Sequence, residues 1–343
     1  MELDVMTGGA RWADTAELAR RVERAGFSGM LFTETSAVPW MNITAAALAA
    51  PALTFTTGIA VAFPRSPMVS AAVAWELAEN TGGRFRLGLG SQVRAHIERR
   101  YGADFDPPGP RMRDYVEAVK ACFRAFRGEE KLAHDGPFYR LSLLPAAWAP
   151  RRHDHGDIPV DISAVGPYMS RAAGEVADGV HVHPLHSVPY LDDVLDPKLA
   201  EGAARTGRSA DAVDLIVPVF TVVGDTPEEQ EPYRRYAKQQ IAFYGSTKNY
   251  AFQFDMLGFD GTSGRLNERL KAGDIKGMAD LITDEMLEHY AVIASWDELG
   301  PKLVERYKGR AARLVLYQAE ASMRADDAAA ARWSAVAAAV RSA

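Results

Sequence analysis

The chain contains a single cysteine among 343 residues, and its acidic residues outnumber the basic ones to give a net charge of −6. One cysteine cannot form an internal disulfide, and an acidic chain lacks the basic surface with which proteins bind nucleic acid. No apolar run approaches the roughly 18 residues of a membrane-spanning helix. The first residues also lack the basic segment and apolar run of an export signal. We therefore expect a cytoplasmic protein that has neither nucleic acid nor a membrane as a partner.

The sequence also lacks the signatures of several enzyme classes. It has no nucleophile elbow, no lysine at a strand end and no metal-ligand triad, which disfavours a hydrolase or an aldolase. Gly88 and Gly90 are not followed by the third glycine of a dinucleotide-binding loop. The segment 181–186 holds three histidines, but no acidic or cysteine cluster accompanies them. We therefore expect no metal site and assign these histidines to hydrogen bonding.

What the chain does contain is a regular alternation of apolar strands and helices. Eight strand candidates separated by helices favour a closed (β/α)8 barrel, or TIM barrel, over an open doubly wound sheet. The segment 227–308 is far longer than one crossover helix, and we expect it to build a helical cap over the barrel mouth. We read residues 1–343 as a single domain. The strand candidates are 3–6, 29–33, 54–62, 86–89, 160–164, 179–182, 215–223 and 312–316.

Two segments at predicted strand ends carry chemistry, because ligands of such barrels bind at the carboxyl ends of the strands. Residues 88–91 provide small side chains and donors after strand four, and Arg94 follows closely. Residues 164–169 place small residues between strand five and a helix with Pro167 near its first turn. Free backbone N–H groups and the helix dipole at such a turn can bind phosphate, which predicts a phosphorylated cofactor without naming it.

Three stretches of the chain resemble the bacterial luciferase-like family. They are TGIAVAFP at 57–64, GGRFRLGLGS at 82–91 and SAVGPYM at 163–169. Within the family, the resemblance is to the hydride transferases that use coenzyme F420, a deazaflavin. It implies an oxidoreductase that transfers a hydride between F420 and a small organic substrate, which is an alcohol, a carbonyl compound or an activated alkene. Related proteins commonly form dimers, so the resemblance also implies a homodimer.

Two other functions stay open at this point. A luciferase-like monooxygenase would bind FMN at the same phosphate site, so FMN is the alternative cofactor. A non-catalytic cofactor-binding barrel is the second alternative, because Thr35 stands where some relatives have a histidine. Relatives that act on sugar phosphates carry a glutamate after strand four, whereas this chain has Gln92 and Val93 there. A sugar phosphate is therefore a poor substrate candidate.

The resemblance and the residue types together nominate catalytic and substrate-binding residues. Glu34 follows strand two, where related enzymes place an acidic residue beside the reactive ring carbon. His96 and His183 are the other acid–base candidates, because histidine exchanges protons near neutral pH. Substrate contacts are expected from Trp40, His186 and Tyr244.

The cofactor contacts are expected from the ends of strands two to five. By resemblance, a bulge after strand three supports the ring and contains a non-proline cis peptide, which would fall between Ala60 and Val61. The expected contacts are Thr35, Ala60, Val61, Gly90, Ser91, Gln92, Arg94, Val165, Gly166, Pro167, Tyr168 and Met169.

Overall fold

The computed structural model describes residues 1–325 and 327–343. Its strands are β1 (Glu2–Thr7), β2 (Gly29–Phe32), β3 (Thr54–Thr57), β4 (Ala60–Val61), β5 (Phe85–Gly90), β6 (His134–Asp135), β7 (Arg140–Leu141), β8 (Val160–Ala164), β9 (Gly179–Val182), β10 (Asp214–Val223), β11 (Ala291–Ala294) and β12 (Arg313–Leu316). Parallel pairing joins β1, β2, β3, β5, β8 and β9 in that order, and β10 and β12 close the ring between β9 and β1. The predicted (β/α)8 TIM barrel is therefore confirmed.

Helices connect these strands on the outside of the barrel, and several begin or end at the expected residues. Gly26, with φ of 78°, ends the first helix in a conformation that glycine adopts without strain. Proline occupies the first turn of the helices that follow Ser66 and Gly166. The helices are α1 (Trp12–Arg24), α2 (Pro39–Ala49), α3 (Pro67–Asn80), α4 (Arg94–Arg99), α5 (Pro108–Arg127), α6 (Pro167–Val176), α7 (Val188–Tyr190), α8 (Asp196–Arg205), α9 (Pro227–Gly245), α10 (Phe252–Asp255), α11 (Thr262–Lys271), α12 (Ile275–Asp280), α13 (Asp284–Tyr290), α14 (Trp296–Tyr307), α15 (Ala319–Ala325) and α16 (Asp327–Arg341).

Strand three differs from its prediction. The expected strand 54–62 is interrupted between β3 and β4, and the cis peptide bond joins Gly58 to Ile59. The expected position between Ala60 and Val61 is therefore wrong. Those two residues form β4 and pair in parallel register with the end of β5, which requires ordinary extended backbone.

The barrel interior is packed with side chains below the carboxyl end. Arg86 donates two hydrogen bonds of 2.8–2.9 Å to Asp161, and Arg313 donates two of 2.7–2.8 Å to Asp4. Each of these charges is balanced by its partner, as burial inside a barrel requires. Further along the strands, the interior is apolar at Leu31, Ile216 and Val315.

The segment between β10 and β12 forms the predicted cap. It contains α9 to α14 and one strand that was not expected, β11, which pairs in parallel with the last four residues of β10. Because the helices share an apolar cluster with β10, the cap is fixed to the carboxyl end of the barrel. The cluster includes Phe220, Val222, Ala237, Ile241, Phe254, Leu266, Leu287 and Tyr290.

Candidate active site

The carboxyl end of the barrel leaves a space at the barrel axis that is bounded by partly exposed side chains. Alternate residues of each strand face the barrel axis. Near the carboxyl end these axis-facing residues are partly exposed, whereas their neighbours in sequence are mostly buried against the helices. We call this space the mouth cavity, and its lining includes Met6, Thr33, Ile59, Ser163, His183, Pro218 and Tyr317.

Two glycines of β5 allow neighbouring strands to approach each other at the mouth cavity. A Cβ atom on Gly88 would lie 1.9 Å from the carbonyl oxygen of Thr57 and 2.3 Å from Nε2 of His181. A Cβ atom on Gly90, one of the expected cofactor contacts, would lie 2.8 Å from Oγ of Ser163. These positions therefore exclude every side chain, and the space beside Gly90 is filled by the side chains of Ile59 and Ser163.

Glu34 lies beside the mouth cavity as one half of an ion pair. Its carboxylate accepts hydrogen bonds of 2.8 Å from the Val61 N–H and from Nη1 of Arg65. Arg65 also donates to the Val61 carbonyl, and its guanidinium lies 5.7 Å from the ring centroid of Trp40. The geometry thus gives Glu34 a positioning role, while its acid–base role stays a prediction. Sequence reasoning missed Arg65, although it directly follows the Phe-Pro turn after strand three.

We expect Glu34→Ala to lower the free energy of unfolding by about 3 kcal/mol, because it leaves the largely buried Arg65 guanidinium without its partner. Urea denaturation measures the effect. Glu17→Ala is the matched control, since Glu17 forms ion pairs on the exposed face of α1, and its urea midpoint should not change. Equal midpoints for the two variants would contradict the role assigned to Glu34.

Three of the expected cofactor contacts lie on the rim of the mouth cavity. Ser91 and Gln92 follow β5 and are partly exposed. Gln92 has φ of 56°, and its Oε1 accepts a hydrogen bond from the next backbone N–H at 2.9 Å. Thr35 is exposed, and its carbonyl accepts a hydrogen bond from Arg100. These residues are near enough to the cavity to contact a ligand through their backbone.

Arg94 and His96 lie further out, on the short helix α4. Arg94 is exposed and donates to Glu98 at 2.9 Å and to Asp106 at 2.6 Å, so its charge is already balanced. His96 is exposed on the same helix. The structure therefore does not bring His96 into the lining of the mouth cavity, and its catalytic role stays a prediction.

The five expected contacts at 165–169 lie together where β8 joins α6. Gly166 is the N-cap residue of α6, and no atom would lie within 4 Å of a Cβ atom placed on it. Within the described residues, the backbone N–H groups of Tyr168 and Met169 have no hydrogen-bond acceptor. Tyr190 donates to the Val165 carbonyl at 3.0 Å and fixes the end of β8. The junction is thus an open, anchored helix start of the kind that binds phosphate.

His183 lies at the end of β9, between two tyrosines of the cap. Its ring centroid is 4.9 Å from that of Tyr244 and 4.4 Å from that of Tyr250. Burial lowers the pKa of His183 to about 3, so the imidazole is neutral at physiological pH. Nδ1 accepts a hydrogen bond of 3.1 Å from the Leu185 N–H, which leaves the proton on Nε2. Within the described residues, that Nε2–H has no acceptor, so it can donate to a ligand.

The other two histidines of the segment are enclosed by the protein. His186 is 1% exposed, its Nδ1 donates to the His183 carbonyl, and its Nε2 accepts from the Tyr307 hydroxyl at 3.3 Å. This position does not support the expected substrate contact. His181 is 7% exposed inside the barrel. Burial lowers the pKa of His181 to about 3, with a further contribution from Arg86, and burial lowers the pKa of His186 to about 4.

Tyr244 belongs to a pair of tyrosines that joins the cap to the barrel. Its hydroxyl is hydrogen-bonded to the hydroxyl of Tyr317, which directly follows β12. The Tyr317 ring packs on Phe220, with 4.8 Å between the centroids. Burial raises the pKa of both tyrosines, so both are protonated at neutral pH. Sequence reasoning missed Tyr317, although its place at the end of the eighth strand was a usable signal.

The histidines at 181–186 point to three different surroundings: the barrel interior, the mouth cavity and α14. Among the residues that the structure describes, no group of three or more histidine, cysteine, aspartate or glutamate side chains is placed to hold a metal ion. In the same part of the chain, every helix is too short or too polar to cross a membrane.

Known proteins resemble the chain over most of its length. The sequence profile of the luciferase-like monooxygenases matches residues 2–313. An uncharacterized protein of Mycobacterium tuberculosis is 36% identical over 297 residues, which are 87% of each chain. A 5,10-methylenetetrahydromethanopterin reductase of Archaeoglobus fulgidus is 25% identical over 262 residues, or 75% of this chain and 74% of that one.

Solved structures share the fold at low sequence identity. The coenzyme F420-dependent tetrahydromethanopterin reductase of Methanopyrus kandleri superposes with a TM-score of 0.79, at 20% identity and 97% coverage of both chains. An F420-dependent secondary alcohol dehydrogenase gives 0.73, at 19% identity and 99% coverage of both. A monooxygenase from Streptomyces bottropensis gives 0.68, at 17% identity, with 100% of this chain and 99% of that one covered.

The strand order defines a (β/α)8 barrel, and the candidate site lies at the carboxyl ends of its strands. The extent of the profile match and the 36% identity to the mycobacterial relative define the family more closely. The chain belongs to the luciferase-like family of oxidoreductases and monooxygenases.

Proposed function

We propose that the protein is an F420-dependent oxidoreductase that transfers a hydride between the deazaflavin and a small organic substrate. The observation that carries the proposal is the mouth cavity, where an open helix start and the Nε2–H donor of His183 follow the neighbouring strands β8 and β9. The choice of F420 draws on relatives, which include the archaeal reductase and a putative coenzyme F420-dependent oxidoreductase of Mycobacterium tuberculosis, 25% identical over 248 residues.

The residues of the mouth cavity fit a flat, phosphorylated cofactor in two respects. A flat ring can lie against the side chains of Ile59 and Ser163, which meet beside Gly90 because that position has no side chain. A phosphate can accept hydrogen bonds from the free N–H groups of Tyr168 and Met169, because nothing occupies the space beside Gly166. This site needs no basic side chain, so the pairing of Arg94 with carboxylates does not weaken the fit.

F420, when bound, exchanges a hydride with a carbon atom of the substrate. The Nε2–H of His183 donates a hydrogen bond to the substrate oxygen, on which negative charge develops as a carbonyl group is reduced. Glu34 holds Arg65 and the Val61 N–H, and so fixes the backbone of β4 beside the ring site. The cap tyrosines that contact His183 exclude water from that side of the cavity.

The experiment that tests this function compares two cofactors with and without oxygen. The purified protein is mixed with reduced F420 and a panel of ketones, aldehydes and enones under nitrogen. We expect F420 oxidation that requires an organic substrate and does not require oxygen. Oxygen consumption with reduced FMN, together with product formation, would favour the monooxygenase. Tight F420 binding without turnover of any substrate would favour the non-catalytic barrel.

We also propose that the protein is a homodimer whose interface includes the outward faces of α2 and α3. No residue of α2 is charged, yet the helix exposes 53% of Met41 and 85% of Leu48. Val69 of α3, the next helix in the chain, is also half exposed. A helix face as apolar as that of α2 is typical of a surface that another protein covers. The alanine-rich α16 is less suited, because it buries Trp333 within its own chain.

The double variant Met41→Glu, Leu48→Glu is expected to be monomeric at micromolar concentration, because association would bury two unpaired charges. Sedimentation velocity measures the mass. Ile275→Glu is the control, since Ile275 is a comparably exposed apolar residue on α12, and that variant should remain dimeric. A dimeric double variant would exclude this face as the interface.

A further inference from the structure

The tyrosine pair lies where three structural elements meet above the mouth cavity. His183 and Tyr317 follow β9 and β12, the two strands that flank β10 in the barrel. Tyr244 reaches both of them from α9, through its hydroxyl to Tyr317 and through its ring edge to His183. All three side chains are partly exposed, so a ligand in the cavity can touch them.

The two hydroxyl groups of the pair carry two protons, but only one of these protons has an acceptor within the described residues. Both hydroxyl groups stay protonated at neutral pH, and the single hydrogen bond between them uses one of the two protons. Within the described residues, neither hydroxyl of Tyr244 and Tyr317 has another partner. One O–H group is therefore always left to donate to something outside the chain.

His183 provides a second hydrogen-bond donor beside the tyrosine pair. The Nε2–H of His183 also lacks an acceptor within the described residues, and the ring is neutral. The rings that contact these donors belong to Phe220, Tyr236 and Tyr250, which carry no charge. These rings offer no cation to replace the hydration that a carboxylate would lose, whereas an uncharged carbonyl oxygen can accept hydrogen bonds from both donors without bringing a proton of its own.

We propose that the paired hydroxyls of Tyr244 and Tyr317, together with Nε2–H of His183, bind a carbonyl oxygen, so that the substrate class is a ketone, an aldehyde or an enone. The inference rests on the proposed function and adds to it the class of substrate and two further residues that contact it. A carbonyl oxygen has two lone pairs, which match the two unused donors.

A purely structural pair predicts a different pattern of variant effects. If the hydrogen bond only fastens the cap, Tyr244→Phe, Tyr317→Phe and the double variant all break that one bond and have equal effects. If the pair binds a carbonyl oxygen, each single variant keeps one hydroxyl whose proton can turn toward the ligand. The single variants are then mild and only the double variant is severe.

The test measures the binding of cyclopentanone that carries carbon-13 in its carbonyl group. Difference infrared spectra of the bound ketone are recorded for the protein with and without oxidised F420. Hydrogen bonding lowers the carbonyl stretching frequency, so we expect a downshifted band in the unsubstituted protein. Each single variant should keep most of the shift and bind the ketone within about threefold of the original affinity. The double variant should lose most of the shift and bind about tenfold more weakly.

Tyr236→Phe is the matched control, because the ring centroid of Tyr236 lies 6.3 Å from that of Tyr317 but its hydroxyl takes no part in the pair. This variant should change neither the carbonyl band nor the affinity for the ketone. The proposal would be overturned if the single variants bound the ketone as weakly as the double variant, or if the double variant left the carbonyl band unchanged. Should the double variant fail to fold, the unsubstituted protein decides: we expect a downshifted carbonyl band for bound cyclopentanone, and a bound ketone with an unshifted band would overturn the proposal. If the protein gave a downshifted carbonyl band but did not bind F420, the result would support the carbonyl site and contradict the proposed cofactor.

Discussion

Replacing His183 by phenylalanine is expected to lower kcat of the F420-loaded protein about 100- to 1,000-fold. The aromatic ring preserves the packing between Tyr244 and Tyr250, so the variant removes the Nε2–H donor with little change in shape. The His183 donor stabilises the negative charge that develops on the substrate oxygen in the transition state. It contributes less to binding of the uncharged substrate in the ground state. We therefore expect a much smaller change in KM, and an affinity for F420 within about threefold of the original.

The same assay separates His183 from the other histidine that the sequence nominated. His96 is exposed on α4, outside the lining of the mouth cavity. His96→Phe should leave kcat within about threefold, since a surface substitution away from the reacting atoms rarely does more. A large loss of kcat in that variant, with full activity of His183→Phe, would reverse the assignment.

Mild acid is expected to destabilise the protein by about 4 kcal/mol for each pH unit between about 5.5 and 4.5. His181, His183 and His186 are neutral when folded, because burial lowers the pKa values of His181 and His183 to about 3 and that of His186 to about 4. In the unfolded chain all three return to a pKa near 6.5, so below that pH the unfolded state binds more protons. The stabilisation is complete above pH 6.5 and is lost as the pH falls toward the folded-state values.

Urea denaturation at a series of pH values measures this slope. Each of the three histidines contributes about 1.4 kcal/mol per pH unit, so His186→Gln should lower the slope by about a third whatever it does to the stability at pH 7. His96→Gln serves as the control, because His96 is exposed on α4, and the slope of this variant should match that of the original protein. A stability that is constant from pH 6.5 to 5 would contradict neutral burial of the three residues.

Apolar runs in the sequence predicted the barrel well because each barrel strand is buried. The boundaries expected for the fifth and sixth strands, 160–164 and 179–182, are those of β8 and β9. The bulge of strand three was expected two residues too late, between Ala60 and Val61, because residue types in an apolar run do not reveal where the backbone leaves the strand. The unexpected strand β11 lies in the cap, where apolar residues serve both helices and the β10 edge.

The site was predicted less completely, because its side chains come from distant parts of the chain. Glu34 was identified from its place after strand two, but its partner Arg65 lies 31 residues further along. Tyr244 was identified, whereas Tyr317, which lies 73 residues away, was not. The structure of one chain leaves three expectations untested, namely the homodimer, the single-domain organisation and the cytoplasmic location. They stay predictions.

Equilibrium titration of the purified protein with F420, and separately with FMN, tests the central claim most directly. The account predicts that F420 binds at least about tenfold more tightly than FMN, and that Gly166→Asp, which places a negative charge beside the open helix start, weakens F420 binding by about tenfold or more. Tighter binding of FMN, or an affinity for F420 that Gly166→Asp leaves unchanged, would contradict it.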